Sequence, residues 1–236
     1  MKKEGVLPVY NSVDLYFDHG DGVYLYTEDG TRYLDFTSGI GVTCLGHSHP
    51  ALVSALREQA GKLWHCSNLF KIKGQEIVAK KIVDHSFASH VFFCNSGAEA
   101  VEAGIKAIRK YFYLNKKNKY KIICVNNAFH GRTLGTIAAA GQDKLLEGFE
   151  PRLDGFEHVE FNNLEAIEKK IDKQTAAILI ETGQGEGGVN PATKEFLLGL
   201  KAIAKKNDLL LFFDEVQCGV GRTGKFLATD WVKSLE

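Results

Sequence analysis

An apolar stretch of the sequence ends in two adjacent acids followed by an amide. The stretch is "LLLFFDEVQCG", residues 209–219; its acids are Asp214 and Glu215, and its amide is Gln217. An unpaired carboxylate beside a buried strand is costly, so a cation or a hydrogen-bond donor is expected next to it. The six positions after Glu215 hold no basic residue. The partner of the carboxylate must therefore come from another part of the fold or from a bound group.

A second stretch has the composition of an anion site. In "CNSGAEAVEAGIKAIRK" (94–110), Ser96, Gly97 and Ala98 lie between an apolar run and a helical pattern. The free N–H groups and the dipole at the start of a helix attract phosphate, and glycine allows its close approach. The same residues also fit a plain helix start, with Ser96 as N-cap and Glu99 as its capping-box partner. The local sequence leaves both interpretations open.

Other motifs follow apolar runs in the same way. In "FHGRT" (129–133), Arg132 has the planar fork that binds a carboxylate, although a surface salt bridge is the simpler explanation. The segments "GQGEGG" (183–188) and "GVGRTG" (219–224) both match the glycine spacing of dinucleotide-binding loops. Neither is followed closely by a convincing helix, so turn glycines are the better interpretation of both.

Two histidines, His47 and His49, invite a metal interpretation. No Cys, His, Asp or Glu follows them at ligand spacing, and Gly46 and Pro50 around them indicate a turn that enters a helix. We therefore predict no metal site.

The elements that must position these motifs alternate along the chain. The stretch "GVYLYTEDGTRYLDF" (22–36) predicts a hairpin around Asp29-Gly30, within an N-terminal segment of residues 1–48. From residue 49 to 236, apolar runs alternate with helical patterns, which is typical of an α/β fold with a mostly parallel sheet flanked by helices. The predicted strands are Val91–Cys94, Ile122–Val125, Ala176–Ile180 and Leu209–Phe213, and the predicted helices begin at Pro50 or span about 97–113, 163–172 and 191–206.

Each of these strands ends at a polar motif. Ligands of open α/β sheets bind outside the carboxyl ends of the strands. The sequence therefore predicts one shared site that collects the polar motifs.

Composition excludes several kinds of partner. Lys+Arg and Asp+Glu both number 29, so the zero net charge predicts no nucleic-acid partner. No apolar run approaches the ~18 residues of a membrane span, and the N-terminus lacks the apolar part of a signal peptide. The five scattered cysteines, without CxxC spacing, are expected to be small buried side chains of a reducing compartment. We therefore expect a cytoplasmic protein without membrane contact.

Taken together, "NSGAEA", "FHGRT", "ETGQGEGG" and "FDEVQCGVGRTG" resemble the class III pyridoxal-phosphate-dependent aminotransferases. The segment "GHSHPALVSALREQAGKLWHCSNLF" narrows the resemblance to the acetylornithine aminotransferases of arginine biosynthesis. The resemblance covers residues 7 to 228 approximately. It implies that residues 49–236 form most of the large domain of the type I pyridoxal-phosphate fold, that the small C-terminal domain is absent, and that the full-length protein is a homodimer.

The resemblance also implies pyridoxal 5'-phosphate as cofactor and gives several residues a role. Asp214 would pair with the pyridine nitrogen, Gln217 would reach the phenolic oxygen, and Phe129 would stack on the ring. Arg132 would bind the substrate α-carboxylate, and Glu186 would face the substrate. The phosphate would be held at the helix start by Ser96, Gly97 and Ala98.

The donor implied by the resemblance is N-acetylornithine and the acceptor is 2-oxoglutarate, an amino-acid and 2-oxo-acid pair. Ile40 stands where ornithine aminotransferases carry an aromatic hydroxyl, which favours an acylated amine. Ornithine, succinylornithine and 4-aminobutyrate aminotransferases are alternatives in the same class. A nucleotide-binding protein and a non-catalytic remnant are alternatives of other classes.

One family residue has no counterpart in this sequence. The family's Schiff-base lysine lies in a later glycine-rich segment, and the lysines after Asp214 are Lys225 and Lys233. Neither has that context, so no catalytic residue is assigned. We expect the chain to be truncated before this lysine and its activity by itself to be lost.

Overall fold

The computed structural model describes residues 5–233 and 235, and the chain divides into two compact units, one up to Ile72 and one from Lys73. The boundary predicted after residue 48 lies within the first unit. In that unit β1 (His19–Asp21), β2 (Tyr24–Tyr26) and β3 (Arg32–Leu34) form an antiparallel sheet in this order. Tyr26 is opposite Arg32, so the predicted hairpin around Asp29-Gly30 is confirmed.

The rest of the first unit contains a single turn, α1 (Ser38–Gly41), and the helix α2 (Pro50–Ala60). Pro50 is the first residue of α2, as predicted. His47 Nε2 lies 2.8 Å from Asp35 Oδ2, a contact that ties the segment before α2 to the one after β3. This histidine therefore has a structural partner within its own unit.

The second unit is built around a four-stranded parallel sheet in the order β5-β4-β6-β9. Two short strands, β7 and β8, pair with each other beside it. The strands are β4 (Lys121–Val125), β5 (Phe156–Val159), β6 (Thr175–Glu181), β7 (Gly183–Gln184), β8 (Asn190–Pro191) and β9 (Leu210–Asp214). The helices are α3 (Lys73–Asp84), α4 (Gly97–Leu114), α5 (Leu134–Ala140), α6 (Leu164–Lys170) and α7 (Lys194–Asn207), with 3-10 turns at Asp143–Leu145 and Ala228–Trp231.

Helices cover both faces of this sheet because neighbouring strand residues point to opposite sides. Every residue of β6 is buried. On one face the core includes Ile178 and Ile180 with α7, and on the other it includes Leu179 with α4. The predicted α/β class with a parallel, helix-flanked sheet is confirmed. Within the part of the chain that the structure describes, no helix is long and apolar enough to cross a membrane.

One predicted strand is wrong. Val91–Cys94 has no regular secondary structure, and Phe92 is 76% exposed. A strand requires a paired neighbour, and no described residue forms a ladder with this segment. Its apolar residues are typical of a buried strand, but the sequence pattern contains no information about which strand would pair with it.

Two smaller predictions also need correction. The helix predicted from Pro191 begins at Lys194, because Pro191 belongs to β8 and the Thr193 hydroxyl caps the helix by accepting from Phe196 N. The cysteines are all free, but only Cys124 and Cys218 are buried, whereas Cys44 and Cys94 are exposed. Spacing alone did not distinguish exposed from buried thiols.

Candidate active site

The polar motifs of the second unit meet at the carboxyl edge of its sheet. A Cβ on Gly97 would lie 2.8 Å from Val216 Cγ1, and one on Gly131 would lie 2.7 Å from Ala98 Cβ. The start of α4 therefore packs against the segments that follow β9 and β4, at distances that only glycine allows. The motifs that follow the strand ends therefore lie close together at this edge.

Asp214 is the last residue of β9, and its carboxylate is buried. Its Oδ1 accepts a hydrogen bond of 3.0 Å from Val216 N. Its Oδ2 lies 2.7 Å from His130 Nδ1. Because an ionised carboxylate only accepts hydrogen bonds, the proton of this contact is on His130. The partner that the sequence required thus comes from the segment after β4.

His130 was not predicted to belong to the site. Its side chain is fully buried, and its Nε2 atom has no hydrogen-bond partner among the described residues. The signal was its place in "FHGRT" after a predicted strand, but the sequence could not show that the imidazole points to Asp214. The contact with His130 fixes the position of one carboxylate oxygen. Each oxygen of Asp214 still has a lone pair that neither contact uses, and this lone pair can accept a hydrogen bond from a bound group.

A second buried carboxylate lies beside this pair. Glu181 ends β6 and is opposite Asp214 in the parallel register. Its Oε2 accepts a hydrogen bond of 3.1 Å from Phe129 N. Burial raises the pKa of Glu181 to about 7, against the opposing effect of the Phe129 N–H and of His130. The sequence analysis assigned no role to this residue.

The start of α4 has the predicted N-cap, but Glu99 does not complete the predicted capping box with the Ser96 main chain. Ser96 is the N-cap, and its Oγ accepts a hydrogen bond of 3.2 Å from Glu99 N. Glu99 Oε2 in turn accepts from Asn95 N at 2.5 Å. A serine hydroxyl that accepts one hydrogen bond retains its O–H as a donor. The cap therefore leaves this O–H, and the first N–H groups of the helix, available for an anion.

The remaining predicted residues lie on the same loops. Phe129 is half-buried, and Arg132 is exposed with its guanidinium carbon 5.9 Å from the centre of the Phe129 ring. Glu186 is exposed in the glycine-rich segment between β7 and β8. Gln217 is exposed too, and its amide oxygen occupies the space that a Cβ on Gly185 would need.

These groups can be compared with the chemistry of pyridoxal phosphate. The molecule carries a phosphate, an aromatic ring and a ring nitrogen that takes up a proton. The second unit offers a helix start, the ring of Phe129 and the buried carboxylate of Asp214 at one edge of the sheet. The start of α4 lies against Val216 at this edge because Gly97 has no side chain. The residues present therefore fit the group.

The contact between Gly185 and Gln217 leads to a first prediction. Gly185→Ala is expected to displace the Gln217 amide and to weaken binding of pyridoxal phosphate by about 0.5–1.5 kcal/mol, the usual contribution of one hydrogen bond. Stability should change little, because the displaced atoms are the end of a flexible side chain. Fluorescence titration and chemical denaturation measure the two effects.

The matched control for this test is Gly74→Ala. A Cβ on Gly74 would meet nothing within 4 Å, so its affinity for the cofactor should stay at the wild-type value. Gln217→Ala should reproduce the loss seen in Gly185→Ala, and the double variant should be no weaker than either single one. Additive losses in the double variant would show that Gly185 acts by another route.

Comparison with known proteins agrees with this geometry. The model of the family described as aminotransferase class III matches residues 8–235. Acetylornithine aminotransferase from Mesorhizobium japonicum is 51% identical over 98% of this chain, and that from Aquifex aeolicus is 51% identical over 93%. In both cases the chain spans 58% of the relative's length.

Solved structures give the same result. Ornithine aminotransferase from Toxoplasma gondii superposes with a TM-score of 0.92 at 30% identity, over 98% of this chain and 55% of that one. N-acetylornithine aminotransferase from Stenotrophomonas maltophilia superposes with a TM-score of 0.81 at 36% identity, over 94% and 56%. Since the family model matches nearly the whole sequence, this chain belongs to the class III aminotransferases.

Proposed function

We propose that this chain is the cofactor-binding part of an acetylornithine aminotransferase. The reaction would transfer an amino group from N-acetylornithine to 2-oxoglutarate in a ping-pong cycle with pyridoxal 5'-phosphate. The observation that carries the proposal is the buried Asp214–His130 pair at the carboxyl edge of the sheet, next to the start of α4. The names of the relatives that are about half identical to the chain support the choice of amino donor.

Each residue would have a distinct task toward the cofactor. Asp214 would hold a proton on the ring nitrogen through a charge-assisted hydrogen bond, and His130 would keep the Asp214 carboxylate in place. Phe129 would cover one face of the ring, and Gln217 would reach its phenolic oxygen. The phosphate would be held by Ser96, Gly97 and Ala98. When bound, the protonated ring supplies an electron sink for negative charge at the substrate α-carbon.

The substrate assignments come from three residues. Arg132 would bind the α-carboxylate through its planar fork, and Glu186 would face the rest of the substrate. At position 40 the sequence has an aliphatic residue, Ile40, where ornithine aminotransferases carry an aromatic hydroxyl, and this difference supports an acylated donor. Members of this class act on related donors, so ornithine and 4-aminobutyrate are the competing substrates to include in any assay.

The proposal also covers the pathway, the location, the oligomeric state and the partners of the protein. A role in arginine biosynthesis follows from the proposed donor, and cytoplasm is the proposed location. The full-length protein is proposed to be a homodimer that acts on small molecules and binds neither nucleic acid nor membrane. The composition of the sequence, with its zero net charge, supports the last two points.

Cofactor binding is the direct test of this proposal. The 236-residue polypeptide is expected to bind pyridoxal phosphate saturably at one site, seen as an absorbance and fluorescence change. ATP should not compete with it. Retention of a nucleotide without any pyridoxal phosphate signal would contradict the proposal and would support the alternative of a nucleotide-binding protein.

The catalytic part of the proposal is tested by a second experiment, which measures turnover. Among the residues after Asp214, Lys225 and Lys233 lack the family context, so residues 1–236 by themselves should show no acetylornithine-dependent turnover. A positioned acid–base group contributes a factor of about 10²–10⁴. Fusion to the part of the Aquifex aeolicus relative that lies beyond the region matched by this chain should restore activity. Turnover in the unfused chain that survives replacement of both lysines would contradict the lysine assignment.

A further inference from the structure

The buried carboxylate of Glu181 lies beside the Asp214–His130 pair and has no role in the proposed function. Glu181 is 6% exposed, and its neighbours at the sheet edge are Asp214 on the adjacent strand and His130 on the segment after β4. Cys218 is the further titratable group nearby, and its Sγ donates to Gly183 O at 3.2 Å. A buried carboxylate in such surroundings needs donors and positive charge.

The contact of Glu181 with the main chain gives it a structural task in the site. Its Oε2 accepts from Phe129 N across 52 positions of sequence. Phe129 immediately precedes His130, so the same anchor holds the residue whose imidazole contacts Asp214. A carboxylate accepts such a bond about twice as strongly as a neutral amide or acid does. The anchor is therefore strongest when Glu181 is ionised.

Charge balance connects this anchor to a ligand. The His130 imidazole contacts Asp214 alone of the two carboxylates, so the cluster has excess negative charge whenever Glu181 and Asp214 are both ionised, even when His130 is protonated. A ring that carries a proton next to Asp214 would compensate that excess. Binding of such a ring should then favour ionised Glu181, and ionised Glu181 should favour binding, because the two effects are thermodynamically reciprocal.

We propose that Glu181 is a positioning residue of the cofactor site: its carboxylate anchors the Phe129–His130 main chain and supplies the second negative charge that favours a cationic ring at Asp214. The inference rests on the proposed function, since the ring in question is that of pyridoxal phosphate. The role is separate from that of Asp214, which touches the ring nitrogen.

The direction of the pH effect follows from the state of Glu181. Its pKa is raised to about 7, chiefly by burial, so the residue is protonated at pH 6 and ionised at pH 8.5. Glu181→Gln keeps an acceptor oxygen but has no charge at either pH. The wild type should therefore bind pyridoxal phosphate about 10-fold more tightly than Glu181→Gln at pH 8.5, and the difference should fall to about twofold or less at pH 6. The ratio between the two proteins cancels the titration of the free cofactor.

A matched control is available at the end of another strand of the same sheet. Glu160 follows β5, is exposed, and accepts from Asn126 Nδ2 at 2.7 Å. Glu160→Gln should bind pyridoxal phosphate as the wild type does at both pH values. A wild-type to Glu181→Gln ratio that is the same at pH 6 and pH 8.5 would overturn the inference while leaving the proposed function intact.

A measurement without cofactor completes the test. In ¹⁵N-labelled wild-type protein the Phe129 amide resonance should shift between pH 6 and 8.5, and this shift should be absent in Glu181→Gln. A shift of the same size in Glu181→Gln would come from another group and would overturn the anchor. Failure of the wild type to bind pyridoxal phosphate at any pH would refute the charge role together with the proposed function, whereas the amide titration still decides the anchor.

Discussion

Asp214→Asn is expected to weaken the binding of pyridoxal phosphate by about 1.5–3 kcal/mol, the scale of a hydrogen bond to a charged group. This corresponds to a loss of about 10- to 150-fold in affinity. The asparagine has nearly the same shape but cannot hold a proton on the ring nitrogen. The affinity is measured by fluorescence titration at pH 8.

Asp214→Asn is also expected to affect stability, and this effect must be separated from the loss of cofactor affinity. Both of its oxygens have protein partners, Val216 N and His130 Nδ1. An asparagine can accept from only one of them, and if its oxygen accepts from Val216 N its amide N–H faces His130 Nδ1, which then has to become the acceptor nitrogen of the imidazole. Some loss of stability is therefore expected as well, so the folded fraction of each variant is checked by circular dichroism and the affinity is referred to folded protein.

Glu215→Gln is the matched control, because it changes the adjacent carboxylate on the same strand end. The Glu215 carboxylate accepts from Ala228 N at 2.6 Å and from Thr229 N at 2.9 Å, so its task is to hold the 3-10 turn that follows. Its replacement should reduce stability and leave cofactor affinity within about twofold. A larger loss of affinity in Glu215→Gln than in Asp214→Asn would refute the assignment of Asp214 to the ring nitrogen.

Local sequence located part of the architecture of the second unit, but α3, α5 and β5 were not predicted. The strands β4, β6 and β9 are mainly apolar runs, and α4 and α7 carry apolar residues at helical spacing, so periodicity and polar ends located them to within a few residues. The location of the motifs at one edge of the sheet was predicted because ligands of open α/β sheets bind outside the carboxyl ends of the strands. The apolar run Val91–Cys94 could not be distinguished from these strands, because the sequence of a segment does not show whether another strand is available to pair with it.

Contacts between distant segments explain what the sequence could not provide. The bond from Phe129 N to Glu181 and the contact between His130 and Asp214 join residues that are 52 and 84 positions apart. No local pattern encodes such a pair. Motif resemblance identified the residues expected to touch the cofactor, whereas the residues that support them, His130 and Glu181, became visible only when the strands were placed side by side.

Arg132→Ala, tested in the fusion protein, is expected to raise KM for N-acetylornithine and for 2-oxoglutarate together. The expected loss is about 2–3 kcal/mol for each substrate, which is about 30- to 150-fold, because a bidentate, charge-assisted contact to a carboxylate is lost. Both substrates carry an α-carboxylate and occupy the site in turn, so a single guanidinium would serve both. Steady-state kinetics with each substrate varied in turn measures the two values.

The structure supplies the controls for this last prediction. Arg132 lies on an exposed loop beside the Phe129 ring, so its loss should leave folding and cofactor affinity nearly unchanged. Arg152 is another surface arginine, 3.3 Å from Asp143, and Arg152→Ala should have normal kinetics. Arg132→Lys retains the charge without the planar fork and should lie between wild type and alanine. A rise in KM for only one substrate would show that a different residue binds the other carboxylate, and unchanged kinetics in Arg132→Ala would refute the substrate assignment.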